Sequence, residues 1–232
     1  MAQPRISVVA TLKKAPIIDA LAEEERSFLM QRVLRHHFKA HELIFSEGRP
    51  CCGLHFIETG SVKIFGSSRS GREQILATQG PGDTLGELAV LDGGNYPASA
   101  IASTESDLLL IGREDLQALL LRNPAVRVKL LELVASRVRP MISMIEQLCF
   151  STVRQRLVAL LLRLAESKGK LTDQEVEFTL SSTYRDLAAR IGTVPELVSR
   201  NLSSLQALGV IKIRGKKVII LKPKSLRLEV ET

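Results

Sequence analysis

The chain has no tryptophan, 4% aromatic residues and three cysteines among its 232 residues. Each shortage excludes something. Proteins that grip single-stranded nucleic acid stack its bases on aromatic side chains, and this sequence has too few for that. Three cysteines, an odd number in a chain of this length, do not make a disulfide framework. The expected environment is therefore a reducing, cytoplasmic one. No run of about 18 or more apolar residues occurs, so no membrane span and no membrane partner are expected. The opening segment (MAQPRISVVATLKK) lacks the apolar core of a secretory signal.

What the chain does have is positive charge in one place. Its 32 lysines and arginines exceed its 25 acidic residues, a net charge of +7. Residues 1–150 hold equal numbers of each sign, so the whole excess falls in residues 151–232. A polyanion would be drawn there by counterion release, and the natural partner is double-stranded DNA. The plain alternative is a basic, solvated surface, which the motifs below make the weaker reading.

The segment Gly192-Thr193-Val194-Pro195-Glu196-Leu197-Val198-Ser199-Arg200 reads as a tight turn followed by a helix. Glu196, Ser199, Arg200 and Ser203 fall on one stripe of it, while Val198, Leu202, Leu205 and Leu208 form an apolar stripe for packing. Residues 183–191 (TYRDLAARI) make a shorter helix before the turn, with Leu187, Ala188 and Ile191 as its buried set. Two short helices joined by a glycine-containing turn form the helix-turn-helix unit, whose second helix enters the major groove. A carboxylate there accepts from cytosine N4 and a guanidinium donates to guanine O6 and N7. Glu196, Ser199 and Arg200 are the candidate base contacts. Thr183, Arg185 and Ser203 are candidate phosphate contacts. A basic hairpin follows, Val210–Ile213 and Val218–Leu221, with Arg214, Lys216 and Lys217 at a four-residue tip. It reads as a wing placed to touch phosphate.

Upstream, residues 15–38 show helical periodicity with early acidic residues. From about 40 to 111, short β-rich runs alternate with glycine turns, as in a small antiparallel barrel or roll. A short helix over 115–123 stops before Pro124, and a long one runs from about 125 to 148. Along the long helix Leu131, Val134, Val138, Met141, Ile145 and Leu148 step by three and four residues. That seam fits a parallel homodimer, with packing on its own domain as the alternative. Pro140 should bend this helix. Thr152 with Gln155 forms a capping box for the next helix, which should end at Gly169. The expected divisions are 1–122, 123–150 and 151–232. The fold class is α+β: an antiparallel β-roll, a long dimerisation helix and a winged helix-turn-helix.

This order of parts resembles the Crp–Fnr family of bacterial transcription regulators over nearly the whole chain. Two stretches carry the resemblance: Gly82-Asp83-Thr84-Leu85-Gly86-Glu87-Leu88-Ala89, and Leu187 to Leu208 with the wing behind it. It implies a β-roll that binds an effector, a dimer that binds a palindromic operator, and RNA polymerase as a partner. In its cyclic-AMP-binding members the Gly-Glu-Leu-Ala run is followed about ten residues later by Arg-Ser, which neutralises the cyclic phosphate. Here that pair is Pro97-Ala98, and the hydroxyl positions of the dimer helix that face the purine are Met141 and Ile142. A phosphate buried without its cation loses a pair worth on the order of 2–5 kcal/mol. The candidate pocket is thus Gly86, Glu87, Leu88, Pro97, Ala98, Met141 and Ile142. The expected effector is an unknown small molecule other than cyclic AMP.

The oxygen-sensing branch ligates an iron–sulfur cluster through N-terminal cysteines, and residues 1–50 contain none. No such cluster is expected. Glu196, Ser199 and Arg200 match the Glu-x-x-Ser-Arg pattern of the Fnr-like branch, which implies a half-site resembling TTGAT. Pro195 stands where the catabolite-activator branch has an arginine. Two further readings compete. One is a ligand-independent or redox-tuned DNA-binding factor with a vestigial roll, in which Cys51, Cys52 or Cys149 would matter. The other is a cupin-like metalloenzyme fused to a DNA-binding domain. It fails because no His-x-His pair occurs and no histidine follows His55. No catalytic residue, no enzyme activity and no metal site are expected.

Overall fold

The computed structural model describes residues 21–168, 170–171 and 175–231. Among these, one compact unit comprises the residues up to Gly66 together with Ile75–Met141. The second comprises Ser67–Gln74 and the residues from Ile142 onward.

In the first unit a short helix, α1 (Glu23–Met30), begins behind Ala22 with three glutamates in its first turn. Acidic side chains there meet the positive end of the helix dipole. Eight strands follow: β1 (Leu34–Phe38), β2 (Leu43–Phe45), β3 (Gly53–Thr59), β4 (Val62–Ser67), β5 (Glu73–Gln79), β6 (Thr84–Leu85), β7 (Ser99–Ala102) and β8 (Ser106–Gly112). They form two antiparallel sheets, in the orders β1-β8-β3-β6 and β2-β7-β4-β5. The expected roll is therefore present. Between β6 and β7 lies α2 (Glu87–Asp92), a short helix bounded on both sides by left-handed glycines, Gly86 and Gly93.

The helix expected over residues 15–38 is corrected. Residues 15–20 lie outside the described residues, α1 ends at Met30, and Leu34–Phe38 is a strand. Its five residues pair in continuous register with Ser106–Leu110 of β8. Ladder hydrogen bonds to β8 override a weak helical period. The roll's core gathers Leu54, Phe56, Leu109 and Ile111 from the strands. Leu29 of α1 and Leu116 of helix α3 (Arg113–Arg122) close over them.

Helix α4 (Pro124–Phe150) spans 27 residues and contains Pro140. The Asn123 side chain accepts from the amides of Ala125 and Val126 and so opens it. Val126 and Leu130 are buried against the roll's core. Thr152 and Gln155 cap helix α5 (Val153–Lys168) reciprocally, at 2.8 and 3.2 Å. Its expected stop at Gly169 lies outside the described residues.

The second unit holds a third antiparallel sheet, in the order β11-β12-β10-β9. Its strands are β9 (Lys170–Leu171), β10 (Val176–Thr179), β11 (Ile211–Arg214) and β12 (Lys217–Ile220). The stretch before the helix pair, read as loop from the sequence, supplies β9 and β10. Helices α6 (Tyr184–Ile191), α7 (Pro195–Ala207) and α8 (Pro223–Glu231) complete the unit. Its core is built by Leu157 and Leu161 of α5, Leu187 and Ile191 of α6, Val198, Leu202 and Leu205 of α7, and Val218 and Ile220 of β12. Leu226 of α8 joins them, although no helix was expected there.

Candidate nucleic-acid interface and effector site

The geometry of the helix pair follows from its ends. Thr183 caps α6: its hydroxyl accepts from the Asp186 amide at 3.1 Å, and its own amide donates to the Asp186 carboxylate at 3.0 Å. The Thr183 hydroxyl also donates to that carboxylate, at 2.7 Å. Both donors proposed for phosphate are thus engaged inside the chain, so Thr183 acts first as a cap. Gly192 ends α6 with φ 68°, a left-handed turn that a side chain would strain. Helix α7 then starts with Pro195 at its first position, where a missing amide costs nothing. Val194 before it provides no side-chain cap.

On α7, Val198, Leu202 and Leu205 are buried, whereas Glu196, Ser199, Arg200 and Ser203 are exposed. The i, i+3, i+4, i+7 stripe is therefore open along its length. Arg185 on α6 is exposed as well. The wing differs in detail from the sequence reading. Arg214 and Lys217 pair across the strands, leaving a two-residue tip of Gly215 and Lys216 in place of four residues. Gly215 takes φ 59°, as the first residue of such a tight hairpin requires. Lys217 is turned onto Glu177 of β10, 2.6 Å from its carboxylate. Arg214 and Lys216 are exposed and form no ion pair among the described residues.

Arg156 was not singled out by sequence. It is buried on α5 and donates to the carbonyls of Ile191 (2.8 Å), Ser151 (2.7 Å) and Gln147 (3.2 Å). One guanidinium thus satisfies orphan carbonyls at the ends of α4 and α6 and at the link between α4 and α5. Arg154, two residues earlier, forks onto Glu229 of α8 at 2.7 and 2.9 Å and donates to Ser204 of α7.

In the first unit the candidate pocket centres on Glu87, the first residue of α2, which is 5% exposed. Arg137 of α4 holds it with both arms, at 2.9 and 3.0 Å, and donates a further bond to the Thr84 carbonyl at 2.8 Å. The Thr84 hydroxyl also donates to the Glu87 carboxylate. The acid is therefore satisfied by groups of the chain itself. Arg137 was missed because its partner lies 50 positions away and no local spacing announces it. Met141 sits one helical turn beyond Arg137, on the same face. Leu88 and Pro97 are exposed and Ala98 is buried, so no cation stands at the Pro97-Ala98 position. Met141 and Ile142 are exposed, at 45% and 52%.

Along α4 the seam residues Leu131, Val138, Met141, Ile145 and Leu148 are all exposed, and Val134 is half-buried. Among the described residues these apolar side chains are only partly covered. Among the described residues, no group of three or more His, Cys, Asp or Glu could hold a metal ion. No helix among them is long and apolar enough to cross a membrane.

Breaking the Glu87–Arg137 pair should be costly. Arg137→Met leaves a buried carboxylate without its cation and should destabilise the chain by about 3 kcal/mol in urea unfolding. The double variant with Glu87→Gln should regain most of that loss. Unchanged stability of the single variant would show that the pair is not closed in solution.

Comparison with known proteins converges on one group. The profile of the cyclic nucleotide-binding domain matches residues 35–123, and that of the Crp-like helix-turn-helix domain matches residues 155–229. The cyclic AMP receptor protein of Thermus thermophilus is 33% identical over 202 residues, covering 87% of this chain and 90% of that protein. The global nitrogen regulator of a Nostoc species is 28% identical over 191 residues, 82% of this chain and 86% of that protein. Among solved structures, a Crp/Fnr-family regulator from Eubacterium rectale superposes with a TM-score of 0.79 at 22% identity. That superposition covers 95% of this chain and all of the other.

Proposed function

Because the chain belongs to the Crp–Fnr family, whose members are DNA-binding transcription regulators and not enzymes, we propose that it is a homodimeric, sequence-specific operator reader. The single observation that carries this reading is the open Glu196-Ser199-Arg200 stripe on α7, braced from behind by Val198, Leu202 and Leu205. Glu196 and Arg200 lie in the first turns of the helix, the part that reaches base edges when such a helix enters the major groove. Arg200 is assigned to guanine, Glu196 to cytosine, and Ser199 to either. The half-site resembles TTGAT. Arg185, Ser203, Arg214 and Lys216 hold phosphate, and Lys217 joins them when DNA competes with Glu177. Thr183 positions the start of α6.

The exposed apolar seam on α4 supports a parallel dimer, since a palindromic operator demands a two-fold reader. On this reading residues 1–122 form the sensor, 123–150 the dimerisation helix and 151–232 the DNA-binding part. RNA polymerase is the downstream partner, and the protein works in the cytoplasm.

The effector is proposed to be a small molecule other than cyclic AMP. Relatives include proteins named for cyclic AMP, nitrogen and anaerobic regulation, so the roll of this family serves several signals. Here Glu87 is already matched by Arg137, and Pro97 offers neither charge nor a donor to a phosphate. A neutralised pocket with Met141 one turn beyond Arg137 suits a less polar ligand, without an iron–sulfur cluster.

Cyclic AMP should therefore leave operator affinity unchanged. Micromolar binding by calorimetry, coupled to tighter DNA binding, would overturn the assignment.

Base reading and phosphate holding should separate. Arg200→Ala should cost roughly 1–3 kcal/mol on a TTGAT-type operator and little on scrambled DNA. Lys216→Ala should weaken both duplexes about equally and lower the salt slope by about one unit per subunit. Equal loss on both duplexes for Arg200→Ala would remove α7 as the reading helix.

A further inference from the structure

Cys52 has no part in the DNA-reading face or the candidate pocket, and only the redox-tuned alternative named it, without a site or a chemistry. It is exposed at the turn before β3, while its neighbour Cys51 is buried. The Cys52 sulfur is 3.0 Å from the Tyr96 hydroxyl and 3.7 Å from His55 Nε2. Tyr96 is 3% exposed and His55 is 4% exposed. An exposed sulfur thus leans on two polar groups that are themselves shut away from water.

The proton positions follow from what each group can do. The Tyr96 oxygen already accepts the Cys52 amide at 3.2 Å, so its own proton is available to the sulfur. Burial pushes the Tyr96 phenol well above its usual range, with the Cys52 contact adding to the effect, and the phenol remains a donor at neutral pH. Burial pulls His55 down to about 4, with His36 adding a smaller repulsion, so its ring is neutral and carries one N–H. His55 Nδ1 is buried and has no hydrogen-bond partner among the described residues. An orphaned N–H is rarer in proteins than an under-satisfied acceptor, which assigns the proton to Nε2, the nitrogen facing Cys52. Two donors therefore converge on one sulfur. A neutral thiol gains little from this, whereas a sulfur or oxygen bearing negative charge is held by both.

We propose that Cys52 is a peroxide-reactive thiol whose oxidation to a sulfenic acid is promoted by the Tyr96 hydroxyl and the His55 ring. The deprotonated sulfur attacks one oxygen of hydrogen peroxide and the O–O bond breaks. Hydroxide leaves and takes up the proton the thiol gave up, forming water. The sulfur is oxidised by two electrons and the peroxide is reduced, leaving Cys52 as S–OH. Cys51 is the built-in contrast: the Tyr96 hydroxyl reaches its thiol too, and the thiol donates to the Gly53 carbonyl at 3.5 Å, but burial outweighs both and pushes its ionisation up. Tyr96 stacks on Phe45 with ring centroids 3.9 Å apart and lies against Gly86, where a Cβ would come within 3.2 Å of its ring. A new oxygen on Cys52 thus presses on the side chain that packs against the start of Glu87's helix.

The test uses the reduced full-length chain, hydrogen peroxide and a dimedone probe, with the labelled peptide located by mass spectrometry. Labelling is expected at Cys52 and not at Cys51, about tenfold or more faster in the folded chain than at the same residue in guanidinium, where the donors are dispersed. Tyr96→Phe, which keeps the ring and its stacking, is expected to slow labelling by about tenfold. Equal rates at Cys52 in the folded and unfolded chain, or an unchanged rate in a folded Tyr96→Phe variant, would overturn the proposal. If that variant does not fold, the comparison of folded with unfolded parent chain decides alone.

Discussion

A carboxylate buried at the foot of a helix must find a cation, and in this chain it finds one on another helix. Glu87 and Arg137 meet through two short contacts at 2.9 and 3.0 Å, with Thr84 closing the set. The pair joins the turn between β6 and α2 to the helix that carries the apolar seam. It also decides the electrostatics of the candidate pocket. Because Arg137 is engaged internally, its charge is not free to attract a phosphate, and Pro97 supplies none. A ligand that competes for either partner must replace a bidentate ion pair, which few neutral molecules can do. The proposed effector therefore fits beside the pair and leaves it intact.

The proposed reading head obeys a parallel rule at its own scale. Helix α7 can present polar side chains outward only because its opposite face is locked into the core with Leu157, Leu187 and Val218. Its start is fixed by a left-handed glycine and a first-turn proline, both of which restrict the backbone without using a side chain. Arg156 then ties the ends of α4 and α6 through carbonyls alone. A positive charge spent on carbonyls has no carboxylate to satisfy, which makes it a rigid joint.

The parts set by local chemistry were legible in the sequence, and the parts set by distant partners were not. The helix pair, Gly192, Pro195, the wing strands and the Thr152–Gln155 cap each rest on residues within a few positions of one another. The strands of the roll announced themselves through alternating runs and glycine turns. Leu34–Phe38 did not, since its identity as a strand comes from β8, about 70 residues away. Strand β10 was hidden for the same reason, being defined by its pairing with β12. At the candidate sites, Glu196, Ser199 and Arg200 could be placed on one face by counting. Thr183 could be named but not resolved between cap and phosphate ligand, because that depends on where Asp186 points. Lys217 looked like a wing-tip cation until Glu177, far away in sequence, took hold of it. Arg137 and Arg156 were invisible, each being one arginine among many until the fold supplied its partners.

The central claim, that this chain reads DNA as a two-fold dimer through α7, is tested most directly by hydroxyl-radical footprinting. The duplex should be one selected by the purified protein from a random pool. The account predicts two symmetric protected half-sites about one helical turn apart, roughly 34 Å, with the selected sequence forming an inverted repeat. Protection of a single half-site, or a pool that yields no common sequence, would contradict it.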